Sequence, residues 1–425
     1  MNFGLGISKK ESECPRRFPI GVAYYGETPR KRWAFSGVSL LKLRMSKSLN
    51  IFISLFKYFP YGGLQKDTLR FAREAVRRGH QVTLFVTSWE GDKPTEENLH
   101  LEFSPAIRSW SNIGRMDEFG RFALERLASG DFDVSLAMNR VPGHDFYFAA
   151  DGCMKTYLPQ KHGWLWRALS PRCHGILRQE TAIFGASSRT RVLYIADKQR
   201  REFSQEYGIG TERLLELPPG MDESCLPPPL DVAQEIRSAS RRELGLRNED
   251  FLLLLAGTSF YRKGADRAIS ALGALPEELR KRSRFCMIGG TKADTLWAYA
   301  EKIGVPRENV IPLAPRPSIR EVLLAADLML HPAREEGTGT VLVEAIANGV
   351  PVLCTQLCGF SPYVEGSGCP TIPEPFRQES LNRALSEALG DLPNLRQSTL
   401  AYAKTQDFCG RSRVAIDYLE AFVRG

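Results

Sequence analysis

From about residue 49 onward, short apolar runs alternate with longer stretches that carry apolar residues on one face only. The short runs end at Gly, Pro, Asn or Asp and read as buried strands, while the longer stretches read as amphipathic helices. In the first half, strands are expected at 49–55, 81–86, 101–103, 132–138 and 192–195, with helices at about 64–78, 115–129 and 197–207. In the second half, strands are expected at 251–256, 284–289, 310–313, 328–330 and 350–354. Helices are expected there at 265–274, 291–303, 319–326 and 341–347, with a last one at about 414–423. Strand, helix, strand in repetition is the grammar of a parallel sheet covered on both faces. The pattern pauses at Leu214–Pro219 and at the proline-rich Cys225-Leu226-Pro227-Pro228-Pro229, which reads as the boundary between two halves.

The expected architecture is therefore α/β, with two doubly wound, Rossmann-like domains facing a central cleft. The first spans 48–215 and the second 216–405, and the segment 406–425 forms a helix expected to pack back on the first. Residues 1–47 lack sustained periodicity and hold basic clusters such as Arg30-Lys31-Arg32. They are expected to be a disordered extension, with the physiological start near Met45.

Composition narrows the class. The chain has 425 residues, too many for one typical core. With 43% hydrophobic and 25% charged residues it has the balance of a soluble globular protein. No apolar run reaches the roughly 18 residues of a membrane-spanning helix, and no basic start followed by an apolar core suggests a signal peptide. The nine cysteines are scattered without a C-x2-C pair, which fits reduced thiols better than disulfides or a zinc site. The formal charge of +8 favours an anionic partner: nucleic acid, anionic lipid or a phosphorylated substrate.

The chemistry concentrates in His331–Leu353, HPAREEGTGTVLVEAIANGVPVL. A strand ends at His331-Pro332, a glycine-rich turn follows, and a helix begins near Val341. Gly337 and Gly339 allow close backbone approach, and the free N–H groups of a helix start favour an anion such as a diphosphate. Two carboxylates flank that start, Glu336 and Glu344, about two turns apart. Acids beside a phosphate site are costly unless they accept from hydroxyls. A ligand carrying both diphosphate and sugar hydroxyls, a nucleotide sugar, meets both needs. The bland alternative is a capped helix with a solvated acid at each end.

Other constellations support that ligand. Arg262-Lys263-Gly264 follows a strand and a Gly-Thr-Ser turn, where a fork and a point charge could hold two phosphoryl groups. Gly62 and Gly63 open the first helix of the first half, with Asp67 in its first turn; a plain helix-dipole acid is the alternative. Asn139–Asp151 begins at the C-terminal end of a strand, where ligand sites of such sheets lie. Asp145 and Asp151 are therefore candidates for orienting an acceptor hydroxyl, and His144 reads as structural. Asp131-Phe132-Asp133 has D-x-D form but reads as a polar strand entry, not a metal site. Lys155–Arg178 interleaves Lys155, Lys161, Arg167, Arg172 and Arg178 with Tyr157, Trp164, Trp166 and Leu169, a pattern suited to an anionic membrane surface. A basic helix covering the core is its alternative, and no nucleic-acid module is recognised.

Taken in order, KYFPYGGLQKD, SWEGD, PGHDFYFAAD, TERLLELPPG, RKGADR, HPA and the E-x7-E pair Glu336–Glu344 resemble the lipopolysaccharide core glucosyltransferases of glycosyltransferase family 4. The resemblance covers about 48–425. It implies a GT-B fold, a retaining reaction and no metal or other cofactor. It implies UDP-glucose held mainly on the second domain, with Glu344 at the ribose and Glu336 at the glucose. Arg262 and Lys263 would hold the diphosphate, joined by Arg213. The nucleotide sugar would also meet Gly62, Gly63, Asp67, Arg316, Thr338, Gly339, Thr340 and Val341. Glu336, Lys263, Arg262 and Asp145 would form the catalytic set, with Asp145 and Asp151 toward the acceptor. The acceptor implied is the first heptose of the inner core, glucosylated in α-1,3 linkage by front-face substitution. The location implied is cytoplasmic, peripheral at the inner face of the inner membrane. Alternatives are another nucleotide sugar or glycolipid acceptor, and a non-catalytic scaffold for core assembly. The polar loop Gly337-Thr338-Gly339-Thr340 departs from the pattern and bears on donor choice.

Overall fold

Two sheets organise the chain, and in both the strands are apolar on each face because helices cover both faces. The structure is a computed structural model that describes residues 48–60, 62–316 and 318–425. The extension expected over 1–47, with its start near Met45, lies outside the described residues. The first sheet has seven parallel strands in the order β3-β2-β1-β4-β5-β6-β7. They are β1 (Asn50–Leu55), β2 (Gln81–Val86), β3 (Leu99–Phe103), β4 (Val134–Ala137), β5 (Phe146–Ala149), β6 (Arg191–Tyr194) and β7 (Leu214–Glu216). Its helices are α1 (Gly63–Arg77), α2 (Asn112–Ala128), α3 (Met154–Lys161), α4 (Trp164–Leu169), α5 (Pro171–Phe184) and α6 (Asp197–Tyr207).

The second sheet has six parallel strands in the order β10-β9-β8-β11-β12-β13. They are β8 (Phe251–Ala256), β9 (Ser283–Ile288), β10 (Val310–Leu313), β11 (Leu328–His331), β12 (Val352–Thr355) and β13 (Thr371–Ile372). Around it lie α7 (Leu230–Glu243), α8 (Ala265–Gly273), α9 (Glu277–Arg282), α10 (Ala293–Lys302), α11 (Arg320–Ala325), α12 (Thr340–Ala347), α13 (Ser361–Gly366), α14 (Gln378–Gly390) and α15 (Leu392–Ala403). The last helix, α16 (Arg411–Arg424), belongs to the first half: its Ala415, Ile416 and Leu419 are wholly buried in the core beneath β1 and β4.

Each sheet grows outward in both directions from its first strand, so each has a switch point, between β1 and β4 and between β8 and β11. Ligands of doubly wound sheets sit outside the C-terminal ends of the strands at such points. Here those ends carry the glycine loop after β1, the Arg262-Lys263-Gly264 loop after β8 and the Glu336 loop after β11.

The sequence pattern misses several elements. Phe146–Ala149 is a fully buried strand inside what reads as a ligand loop. The Pro-rich segment leads straight into a helix that the pattern does not predict: Pro229 is the N-cap residue of α7. β7 runs through residue 216 and pairs with β6, so the first sheet continues past residue 215.

Two passages of chain join the halves, and they are bonded to each other. The Met221 N–H donates to the Phe408 carbonyl at 2.8 Å, and Arg411 Nε to the Pro218 carbonyl at 3.2 Å. Arg411 also pairs with Asp67 of α1 at 2.8 Å, both side chains nearly buried. Arg78, which ends α1, adds bonds to Asp417 and Glu420 of α16, at 2.6 and 3.2 Å. Removing one member of a buried ion pair strands the other without water. Arg411→Met is therefore expected to lower unfolding free energy by about 3–5 kcal/mol. Urea unfolding measures it, and a loss under about 1 kcal/mol contradicts the role given to the pair.

Candidate functional site

Because β8 and β11 are neighbours, their following loops meet although far apart in sequence. Gly264 makes the contact possible. Its φ is +75°, and a Cβ there would lie 2.1 Å from the Pro332 carbonyl oxygen. A clasp fastens the two loops: Arg334 donates to both oxygens of Asp266 at 2.7 Å, and its N–H to the Arg262 carbonyl at 2.9 Å. Lys263, nine-tenths buried, is thereby held against the Glu336 carboxylate and forms an ion pair with it. Glu336 also lies 3.2 Å from His331 Nε2. Burial alone would push the Glu336 carboxyl up. His331 and Lys263 overcome that and hold it at about 2. Burial pushes His331 down, so the ring is neutral at physiological pH. Arg262 is exposed beside them.

Helix α12 begins in the same corner. Gly339 precedes it at φ +83°, and no side chain caps its end; the Leu342 N–H donates to the Gly339 carbonyl at 2.9 Å, and the N–H groups ahead of it have no intrahelical acceptor. Glu344 lies one turn further along, in a cavity of about 360 Å³ between the two halves. Thr340, Ser318 and Ile319 line it from the second half, and Gly63, Lys66 and Arg70 from the first. Burial raises the Glu344 carboxyl, and Asp222 raises it further against the pull of Arg70 and Lys66. Asp222 itself is held at about 2, chiefly by Ser224, with Arg70 at 2.5 Å. A half-buried acid, a helix start and several cations thus line one cleft.

The chain matches known proteins over both halves. Residues 61–224 match the model for Glycosyltransferase Family 4, and residues 236–406 that for Glycosyl transferases group 1. The lipopolysaccharide glucosyltransferase WaaG of Escherichia coli (strain K12) is 38% identical over 87% of this chain and 98% of its own. The crystal structure of WaaG superposes with a TM-score of 0.73 at 37% identity, covering 87% of this chain and 99% of that one. This chain belongs to the lipopolysaccharide glucosyltransferase family. A structure of Anabaena HepE with UDP and glucose shares the fold, at TM-score 0.65 and 16% identity over 88% of this chain and 100% of that one. The architecture is GT-B.

Within this glycosyltransferase, several residues expected at the ligand have other partners. The Asp67 carboxylate is taken up by Arg411, although it borders the cavity. Arg213 lies at the N-terminal start of β7, away from the ligand edge, and donates to the Ile183, Gly185 and Thr190 carbonyls at 2.6, 2.9 and 3.0 Å. Arg316 pairs with Glu243 of α7 at 2.7 Å. Asp145, expected in the catalytic set and at the acceptor, precedes β5 and so sits toward the opposite edge of the sheet. Its carboxylate accepts from the Ser135 N–H and hydroxyl at 2.9 and 2.7 Å, locking β4 to β5. Asp151, after β5, is exposed and 3.2 Å from Arg140. Asp133 accepts from the Asn50 N–H at the start of β1, which fits a polar strand entry. His144 is buried 3.0 Å from the Ser54 hydroxyl, and burial lowers it to about 4. Gly62 caps α1, where a Cβ would strike Gln65, while Gly63 faces open space. Among the described residues no group of three or more His, Cys, Asp or Glu is arranged to hold a metal ion.

Arg70, Asp222, His331 and Arg411 also stand at or beside the site, though no motif in the sequence singles them out. Arg70 stands three residues after Asp67 on the same helix face and was findable by that spacing. Asp222 and Arg411 come from the joining passages, whose placement no periodicity encodes. The basic aromatic stretch forms α3–α5 and exposes Trp164 (73%), Leu165, Trp166 and Leu169 (71%). From the end of α3, Lys161 reaches across the cleft to Glu335 at 2.9 Å.

The low Glu336 value has a pH consequence. Its contribution to stability is complete above the unfolded value near 4.5 and is lost as pH falls toward about 2. The gap in unfolding free energy between wild type and Glu336→Gln should therefore shrink across that window, by on the order of 3 kcal/mol. A gap independent of pH in urea titrations contradicts the assignment.

Proposed function

We propose that this lipopolysaccharide glucosyltransferase moves glucose from UDP-glucose to the first heptose of the inner core, in α-1,3 linkage and with retention. The observation that carries this reading is the corner where Lys263, Glu336 and the uncapped start of α12 meet beside the cavity holding Glu344. It offers cations and N–H donors to a diphosphate, and carboxylates to ribose and glucose hydroxyls. The identity to WaaG, named for glucose transfer to lipopolysaccharide, supports the donor sugar and acceptor class.

In this mechanism the diphosphate lies at the α12 start, with Lys263 and Arg262 opposing the charge that grows as the bond to glucose breaks. Thr338, Gly339, Thr340 and Val341 supply backbone donors. Glu344 accepts from the ribose hydroxyls and Glu336 from the glucose hydroxyls. The departing β-phosphate oxygen takes the proton of the acceptor hydroxyl on the same face of the sugar, which retains configuration. Asp151, at the C-terminal edge of the first sheet, orients the acceptor. No metal or other cofactor enters the scheme.

The acceptor is a lipid-anchored saccharide, and the exposed face of α4 supports a peripheral site at the cytoplasmic leaflet. Its tryptophans and leucines enter the interface while the neighbouring cations meet anionic headgroups. No described helix is long and apolar enough to cross a membrane.

Lys263→Ala is expected to raise the barrier by about 2.7–4 kcal/mol. Steady-state transfer to heptose-terminated core reads this, and a rate within threefold of wild type contradicts it. Labelled UDP-glucose, UDP-galactose and UDP-N-acetylglucosamine offered in parallel test the donor, and preferential turnover of either alternative overturns UDP-glucose. Trp164→Ala with Trp166→Ala should weaken binding to anionic vesicles at least about tenfold. Undiminished co-sedimentation removes the membrane face.

A further inference from the structure

Glu336 has two donors of different character. Lys263 carries a charge on a flexible stem from the neighbouring loop. His331 is a rigid ring, wholly buried at the C-terminal end of β11, paired along the strand with Cys354 of β12. Once a diphosphate occupies the corner, it competes with Glu336 for Lys263. A carboxylate abandoned in a buried place rotates or takes up a proton, and either re-aims its oxygens or removes the charge with which it accepts from sugar hydroxyls.

We propose that His331 is a positioning residue: its Nε2–H fixes the Glu336 carboxylate while Lys263 turns to the diphosphate. The proposal rests on the donor site described above. An ionised carboxylate only accepts, so the ring nitrogen 3.2 Å away must donate. Nδ1 is buried and has no partner, as the bare nitrogen of a neutral Nε2–H ring would be. Turning the ring over would break the bond to Glu336 and leave the N–H buried without an acceptor. A neutral donor also suits the task. A second cation here would compete for the phosphate and screen the charge with which Glu336 accepts hydroxyls.

The experiment compares His331→Leu, which removes the donor, with His331→Gln, which returns an N–H near the same place. UDP affinity is read by calorimetry, and kcat and KM for UDP-glucose by transfer to heptose-terminated core. His331→Leu should lower kcat about 10- to 100-fold, the loss of one hydrogen bond to a charged group, with UDP affinity within twofold of wild type. His331→Gln should recover most of the loss. A kcat within twofold in the Leu variant, a parallel fall in UDP affinity, or a Gln variant no better than Leu each overturns the proposal. If His331→Leu does not fold, nitrogen-15 spectra of wild-type histidines decide instead, with His331 assigned through His331→Gln. An Nε2–H tautomer supports the proposal, and an Nδ1–H ring or an imidazolium ends it. Wild type that neither binds UDP nor consumes UDP-glucose removes the donor reading and this proposal together. Active wild type with an unaffected Leu variant removes this proposal alone.

Discussion

Two opposite charges share one buried corner of the second sheet, and each is the other's counter-ion. An ionised Lys263 or Glu336 alone at that depth would carry a desolvation penalty of several kcal/mol. Together, with the His331 ring beside them, they can stay charged in a place largely removed from water. The surrounding construction serves that pairing. β8 and β11 must be adjacent, Gly264 must lack a Cβ, and the Arg334–Asp266 clasp must hold one loop against the other. The two charges thus satisfy each other, and under the proposed function a nucleotide sugar would gain its contacts by exchanging partners.

The first half contributes differently. Its switch point offers a glycine at a helix start, with Lys66 and Arg70 along the same helix. Asp67, on that helix too, is turned inward to Arg411 and so supports the architecture more than the ligand. A parallel case is Asp145, whose carboxylate binds the Ser135 backbone and hydroxyl. In both, a polar residue near a glycine-rich segment stabilises a strand or helix edge. Short-range sequence cannot separate this from ligand binding, since both uses favour an acid near a turn.

What the sequence disclosed follows from which features are local. The strands ending at Leu55, Ala256 and His331 have clear apolar runs, and the loops after them carry glycines and charged residues, so the fold and the choice of Lys263 and Glu336 were legible; that the two form an ion pair with each other was not, because it depends on β8 and β11 lying side by side. Phe146–Ala149 was not, because four residues after a Gly-His-Asp turn carry too little periodicity. The α7 helix hid behind three prolines, which signal a helix start as readily as a linker. Arg213 lies in the TERLLELPPG motif and Arg316 is expected at the ligand through the resemblance alone, yet their partners are carbonyls or a glutamate from other elements, which only the folded chain brings near.

The return of α16 to the first half means that the halves are joined twice, by adjacent passages bonded through Met221–Phe408 and Arg411–Pro218. A single tether would permit free swivelling. Paired tethers fix the halves to each other at two adjacent points, and the Lys161–Glu335 bond adds a third link from the α3 side of the cleft.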